Sequence, residues 1–156
     1  MYEDEAEHQD AGRGSRLWDA VSAVLALAGV ADSLYLTTEH LAGRSVRCVV
    51  VSGCDTVLSS AYSTVTGDIP LAALGAAAYF TAFSLATLAY FGYERARALL
   101  GLLAALMFAA TLWLLYVQAF VLHAFCAYCL LSAALTTCLA FIALGRRLLA
   151  GKPRLS

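Results

Sequence analysis

The chain alternates long apolar stretches with short polar breaks. Four stretches stand out, at residues 17–37, 69–92, 98–122 and 124–145, each 21 to 25 residues long. About 20 apolar residues carry a helix across a bilayer. A segment in lipid has to satisfy its own backbone hydrogen bonds, and an α-helix does so. The pattern therefore predicts an all-α integral membrane protein, a bundle of four transmembrane helices. Pro70 opens the second stretch, where a missing N–H does no harm. In the third, Gln118 is the interruption.

Composition narrows the class further. Of 156 residues, 62% are hydrophobic and 13% charged. A typical soluble domain holds about 25% charged residues. A soluble chain of this length lacks the interior volume to bury so much apolar surface. Two Pro and 11 Gly exclude collagen-like or disordered chains. A net charge of −1 leaves no electrostatic footprint for nucleic acid.

The polar flanks set the organisation. Residues 1–16, with Glu3, Asp4, Glu5, Glu7 and Asp10, are expected to form a disordered cytoplasmic tail. Residues 17–145 form the membrane domain, and 146–156 a basic cytoplasmic tail. A cleavable signal peptide is the rival for the first stretch, but the acidic start and the apolar run through Leu34, Tyr35 and Leu36 favour a retained span. Lys and Arg set the orientation. Eight of them (Arg13, Arg16, Arg95, Arg97, Arg146, Arg147, Lys152 and Arg154) fall on the side of the termini and the break between spans two and three. Only Arg44 and Arg47 fall on the other side. Both termini are therefore expected in the cytoplasm, with the 45–68 loop and the turn at His123 facing outward.

Under that topology four of the five cysteines lie at the outer face. Cys48 and Cys54 are in the first outer loop; Cys126 and Cys129 open the fourth span. Disulfides form and persist outside the cytoplasm. Cys126-Ala127-Tyr128-Cys129 is a C-x-x-C at a helix start, with both sulfurs on one face. The helix N-terminus favours a thiolate there. Two small apolar residues packing against span three are the plainer alternative; the second outward pair tips the balance toward redox chemistry. Cys48 and Cys54 read equally as a structural staple or as a labile shuttle disulfide. Their spacing is not that of a zinc knuckle, and no metal is expected. Cys138, ~18 Å deeper at helical rise, is expected to be packing.

The layout resembles the vitamin K epoxide reductase family in its prokaryotic, stand-alone branch. The resemblance runs from about residue 17 to 145 and rests on an ordered set of motifs. Ser33-Leu-Tyr35-Leu-Thr37-Thr-Glu-His40 ends span one. Cys48-x5-Cys54-x-x-Val57-Leu58-x-Ser60 forms the loop. Gly67 and Pro70 lead into span two, where Gly75 and Tyr79 follow, and the C-x-x-C opens span four. The resemblance implies a four-helix bundle around a quinone, with a short outer lid helix between spans one and two. It implies that Cys126 and Cys129 are the redox centre, and that Cys48 and Cys54 relay electrons from a thioredoxin-like partner. Ser60 matches the family's lid serine. The chain departs from the family pattern in having both Asp68 and Ile69 between Gly67 and Pro70. It also carries Leu71 and Ala133 where vertebrate members hold the quinone with Asn and Tyr.

The implied function is that of a membrane thiol–disulfide oxidoreductase in the bacterial plasma membrane. It would reoxidise a separate periplasmic, DsbA-like partner and pass two electrons to menaquinone or ubiquinone, supporting disulfide formation. Candidate quinone neighbours are Asp32, Tyr35, Tyr79 and His123, with His40 toward the same outer half. Each has a plain alternative in interhelical hydrogen bonding or interfacial packing. A DsbB-type quinone reductase is the nearest rival, but its C-x-x-C lies in the first outer loop. A non-enzymatic tetraspan binding or transport protein with a stapled outer loop is the second rival, and predicts that Cys126 and Cys129 stay inert.

Overall fold

In a computed structural model of the chain, the described residues are 2–43, 54–65 and 69–150, with side chains described over 14–43, 54, 56–64 and 69–147. Four helices carry the architecture: α1 (Tyr2–Leu41), α3 (Leu71–Tyr90), α4 (Glu94–Tyr116) and α5 (Ala127–Ala150). Between the first two stand a short helix, α2 (Cys54–Leu58), a 3-10 turn (Ala61–Ser63) and two-residue strands β1 (Thr64–Val65) and β2 (Ile69–Pro70). The strands pair antiparallel, Thr64 opposite Pro70. Segments Gly14–Leu41, Leu71–Tyr90, Glu94–Val121 and Ala127–Arg147 are long and apolar enough to cross a membrane. The expected four-span helical bundle with a short helix after span one is thus the observed fold.

The element ends differ from the sequence expectation in instructive ways. Helical backbone begins at Tyr2, inside the polar lead-in. Span two starts at Leu71 rather than residue 69, because Pro70 disfavours helix in the residue before it and Ile69 is extended. Span three starts at Glu94, so Arg95 and Arg97 lie in its first turn rather than in a hinge. Gly92, at φ +97°, stops α3. Its N–H donates to the Ala89 carbonyl at 3.0 Å, and the Tyr93 N–H to that of Leu88 at 3.2 Å. This left-handed stop needs no Cβ and sets α4 beside α3. Helix α5 continues past Gly145 to Ala150.

Packing is arranged for lipid rather than water. Ala26, Ala82, Ala86, Ala89 and Ala104 are buried, whereas Phe80, Leu102, Trp113 and Phe141 are more than half exposed. In a bilayer, small residues between helices let backbones approach, and large apolar side chains are solvated by acyl chains. The core joins Ala26, Tyr79, Ala82, Ala86, Leu100 and Leu139 from all four long helices. Helix α1 packs most extensively on α3. The closest approach is at Gly29, where a Cβ would sit 2.3 Å from the Tyr79 ring.

An ion cluster clamps the end of the bundle away from the cysteines. Asp19 of α1 is fully buried. Its Oδ2 accepts from Arg97 Nη2 at 2.9 Å, and its Oδ1 accepts from Arg146 Nη1. Arg97 also meets Glu94 at 2.6 Å. One carboxylate therefore ties α1 to α4 and α5. Sequence reading treats Arg97 and Arg146 only as loop charges; the fold makes them partners of an acid about 80 and 130 residues away in sequence.

Candidate active site

The site is built where α4 ends and α5 begins. Helix α4 passes into a π turn at Val117–Val121. The Leu122 N–H donates to the Val117 carbonyl at 2.9 Å, five residues back. Such turns widen the helix and re-aim side chains. Here the turn buries Gln118, 4% exposed, against the next segment. The chain reverses at His123, which holds a left-handed φ of +48°. The Ala124 N–H returns to the Gln118 carbonyl at 3.1 Å. Cys126 then stands at the threshold of α5, its carbonyl accepting the first helical bond from the Leu130 N–H at 2.9 Å. Its own N–H donates to Gln118 Oε1 at 3.3 Å.

That position governs the thiol chemistry. Cys126 and Cys129 are free thiols. The Cys126 thiol is pushed down to about 7, chiefly by a hydrogen bond from the Cys129 thiol, with support from the N–H groups of Cys129 and Tyr128; burial and the Asp32 carboxyl act against it. These are the unpaired N–H groups of a helix start, which favour negative charge. Cys126 is therefore the sulfur of the pair that carries a thiolate near neutrality.

The lid brings the second couple to the first. Cys54 is disulfide-bonded and opens α2. Cys48 lies outside the described residues. Cys54, Val57 and Cys126 are buried together, with Leu58, Leu122, Ala124, Tyr128 and Cys129 around them. Cys54 and Cys126 have no exposed surface. A disulfide-bonded cysteine of the lid thus lies packed against the C-x-x-C.

Beneath the lid is a cavity of about 310 Å³. Its wall is mostly apolar, drawn from Leu36, Val57, Pro70, Leu71, Met107, Leu114, Val117 and Ala133. Leu71 and Ala133, the two positions where the chain departs from the vertebrate pattern, both face it. Its polar groups are few: Asp32, His40, Ser60, Tyr79, Gln118, Cys129, Ser132 and Thr136 line it among others. Most of them are already engaged. The Tyr79 hydroxyl lies 2.8 Å from the Ser132 carbonyl, 2.9 Å from Ser132 Oγ and 2.7 Å from Thr136 Oγ1. Ser60 Oγ donates to the Val57 carbonyl at 2.7 Å, closing the end of α2.

The candidate residues divide accordingly. Cys129, Ser60, Asp32 and Tyr79 line the cavity, and Cys126 lies just behind its wall. Tyr35 and His123 do not line it. The Tyr35 ring instead packs against Tyr128, centroids 5.3 Å apart, and His123 is exposed in the reversal. Cys138, expected to pack, is exposed on the outside of the bundle. Gln118, Ser132 and Thr136 were not anticipated. The signal for Gln118 is present in the sequence, an amide alone in an apolar span, where polar groups are expensive.

A four-span bundle with a thiol pair at one helix threshold, a disulfide cysteine packed on it and an apolar cavity below defines a membrane protein of the thiol–disulfide oxidoreductase class. The model of the Vitamin K epoxide reductase family matches residues 20–144, and the chain belongs to that family. It is a multi-pass membrane protein whose family chemistry is thiol–disulfide oxidoreduction. No curated protein compared with it matches.

Proposed function

We propose that this protein reoxidises a separate extracytoplasmic thioredoxin-like protein and passes the two electrons to a membrane quinone, menaquinone or ubiquinone. In this reading it sits in a bacterial plasma membrane with both termini in the cytoplasm and the cysteines at the periplasmic rim. The observation that carries it is the burial of Cys54 and Cys126 in one apolar cluster, with Cys129 lining the cavity beside them. The cavity suits a flat, mostly apolar ring with a few polar atoms. Its volume of about 310 Å³ lies within the range of small-ligand pockets, and the Asp32 carboxyl projects into it without a partner.

The steps follow from where the sulfurs lie. A thiolate of the reduced partner attacks the loop disulfide, taken as Cys48–Cys54. The freed loop thiolate attacks Cys126 in the Cys126–Cys129 disulfide, because Cys126 is buried in the same cluster as Cys54 while Cys129 lies at its edge. Cys129 leaves toward the cavity wall. Resolution restores the loop disulfide and leaves the α5 pair as dithiol. Closing the Cys126–Cys129 bond then releases two electrons to the quinone, which takes up two protons. Each 30 mV between the couples is worth ~1.4 kcal/mol across this two-electron step.

Purified protein, a reduced thioredoxin-like partner and either quinone test the proposal. Quinol should form with the wild type and stop with Cys126→Ala. Undiminished quinol from Cys126→Ala would remove the assignment. Alkylation of the thiols before and after adding quinone separates this activity from an inert bundle with a stapled loop.

A further inference from the structure

Two acids are buried in the spans, and they are treated differently by the fold. Asp19 is held by two arginines. Asp32 is 9% exposed, lines the cavity, and neither of its carboxyl oxygens has a hydrogen-bond partner. An ionised carboxylate in such a place is costly. An unpaired one therefore holds its proton, or spends it on whatever enters the cavity. Three neighbouring polar groups do not compete for that role. The Tyr79 hydroxyl is committed to Ser132 and Thr136, Ser60 to the Val57 carbonyl, and the Gln118 oxygen to the Cys126 N–H. The other titratable groups on the cavity wall are His40 of α1, Tyr62 of the 3-10 turn, Tyr79 of α3 and Cys129 of α5; among the described residues α4 contributes none.

Proton bookkeeping then leaves a gap. Reduction of a quinone needs two electrons and two protons. The two sulfurs supply both electrons as their bond forms. With Cys126 as thiolate, the pair supplies one proton, from Cys129. We propose that Asp32 is a catalytic residue that donates the second proton to a quinone oxygen in the cavity. The balance is Cys126 thiolate, Cys129 thiol, Asp32 carboxylic acid and quinone going to the Cys126–Cys129 disulfide, Asp32 carboxylate and quinol. Water at the outer rim returns the proton to Asp32 before the next turnover. The assignment rests on the quinone reading above.

The test uses full-length protein in detergent, reduced in advance, mixed in single turnover with ubiquinone-1 or with menadione. Three quantities are read: quinol formation across pH, equilibrium quinone affinity by intrinsic fluorescence, and the rate of thiol exchange from a reduced partner to Cys126. Asp32→Asn keeps the shape and removes the proton. It should slow quinol formation on the order of 100-fold, the scale of a lost general acid. It should also erase the acid-dependent limb of the pH profile, with affinity within about twofold and thiol exchange unchanged. Asp32→Glu should restore the limb at a shifted position. Equal rates and profiles for wild type and Asp32→Asn would overturn the assignment, as would a loss matched by lost affinity, which marks a binding group only. If Asp32→Asn does not fold, the limb is read in Asp32→Glu: it moves if Asp32 is the donor and stays if it is not. Wild-type dithiol that neither quinone oxidises overturns the quinone reading itself, and the Asp32 role with it.

Discussion

Cys54 and Cys126, 72 residues apart in the chain, are both without exposed surface and lie in one apolar cluster with Val57 between their elements. One is disulfide-bonded at the start of the lid helix, the other a free thiol at the threshold of α5. The pairing has a direct consequence for exchange chemistry. Once released from its disulfide, the Cys54 sulfur has Cys126 in its own buried cluster.

Cys48→Ser combined with Cys129→Ser should therefore let an added oxidant, diamide, join Cys54 to Cys126. With both resolving sulfurs gone, the two thiols give two electrons and two protons to diamide and keep the bond they form, and the two peptides migrate together after non-reducing digestion. Recovery of Cys126 as a free thiol after diamide would show that the loop sulfur does not reach it.

In Asp32→Asn, where the acid-dependent limb is absent, the pH dependence of dithiol oxidation should follow Cys126. Its thiol is held down to about 7, so the thiolate is present above that pH and lost as pH falls through it. The rate should be half-maximal near neutrality and fall in acid, whereas an unperturbed cysteine thiol near 8.5 would place the midpoint more than a unit higher. Stopped-flow oxidation of prereduced Asp32→Asn across pH 5–10 reads the midpoint directly.

Gly29→Ala should destabilise the bundle without touching a cysteine. The new methyl would lie 2.3 Å from ring atoms of Tyr79. That ring is 2% exposed and its hydroxyl is anchored on α5, so it has little room to withdraw. Overpacking of this kind costs ~1–3 kcal/mol. A lower melting temperature in detergent is expected, and an unchanged melt would mean that α1 and α3 separate freely.

Asp19→Ala should be the more damaging change at the other end. It leaves Arg97 and Arg146 facing each other where one carboxylate held both. Breaking a buried pair from one side costs ~3–5 kcal/mol. Thermal or SDS unfolding should register the loss, while molecules that remain folded keep their turnover, because the cluster lies at the far end of α4 and α5 from the C-x-x-C. Replacing Arg97 and Arg146 with Met together with Asp19→Ala should recover part of the stability.

The four spans and the C-x-x-C at a helix threshold are legible in the order of residues, whereas the short helix after the first span is expected only from the family resemblance. Lipid enforces this legibility: a segment that crosses it must be about 20 apolar residues long and helical, whatever its neighbours do. The same uniformity hides which partner a side chain meets. Tyr35 and Asp32 are three residues apart on one helix, yet Asp32 lines the cavity and Tyr35 packs against Tyr128 outside it. Asp19, Ser22, Asp32 and Ser33 do mark the buried face of α1, but nothing in that stripe says which neighbour each will meet. Gln118 gains its contact with Cys126 only through the π turn, and Asp19 gains its two arginines only when α1, α4 and α5 meet. Those partners come from different helices, and it is helix packing, driven by the close fit of small residues, that decides them.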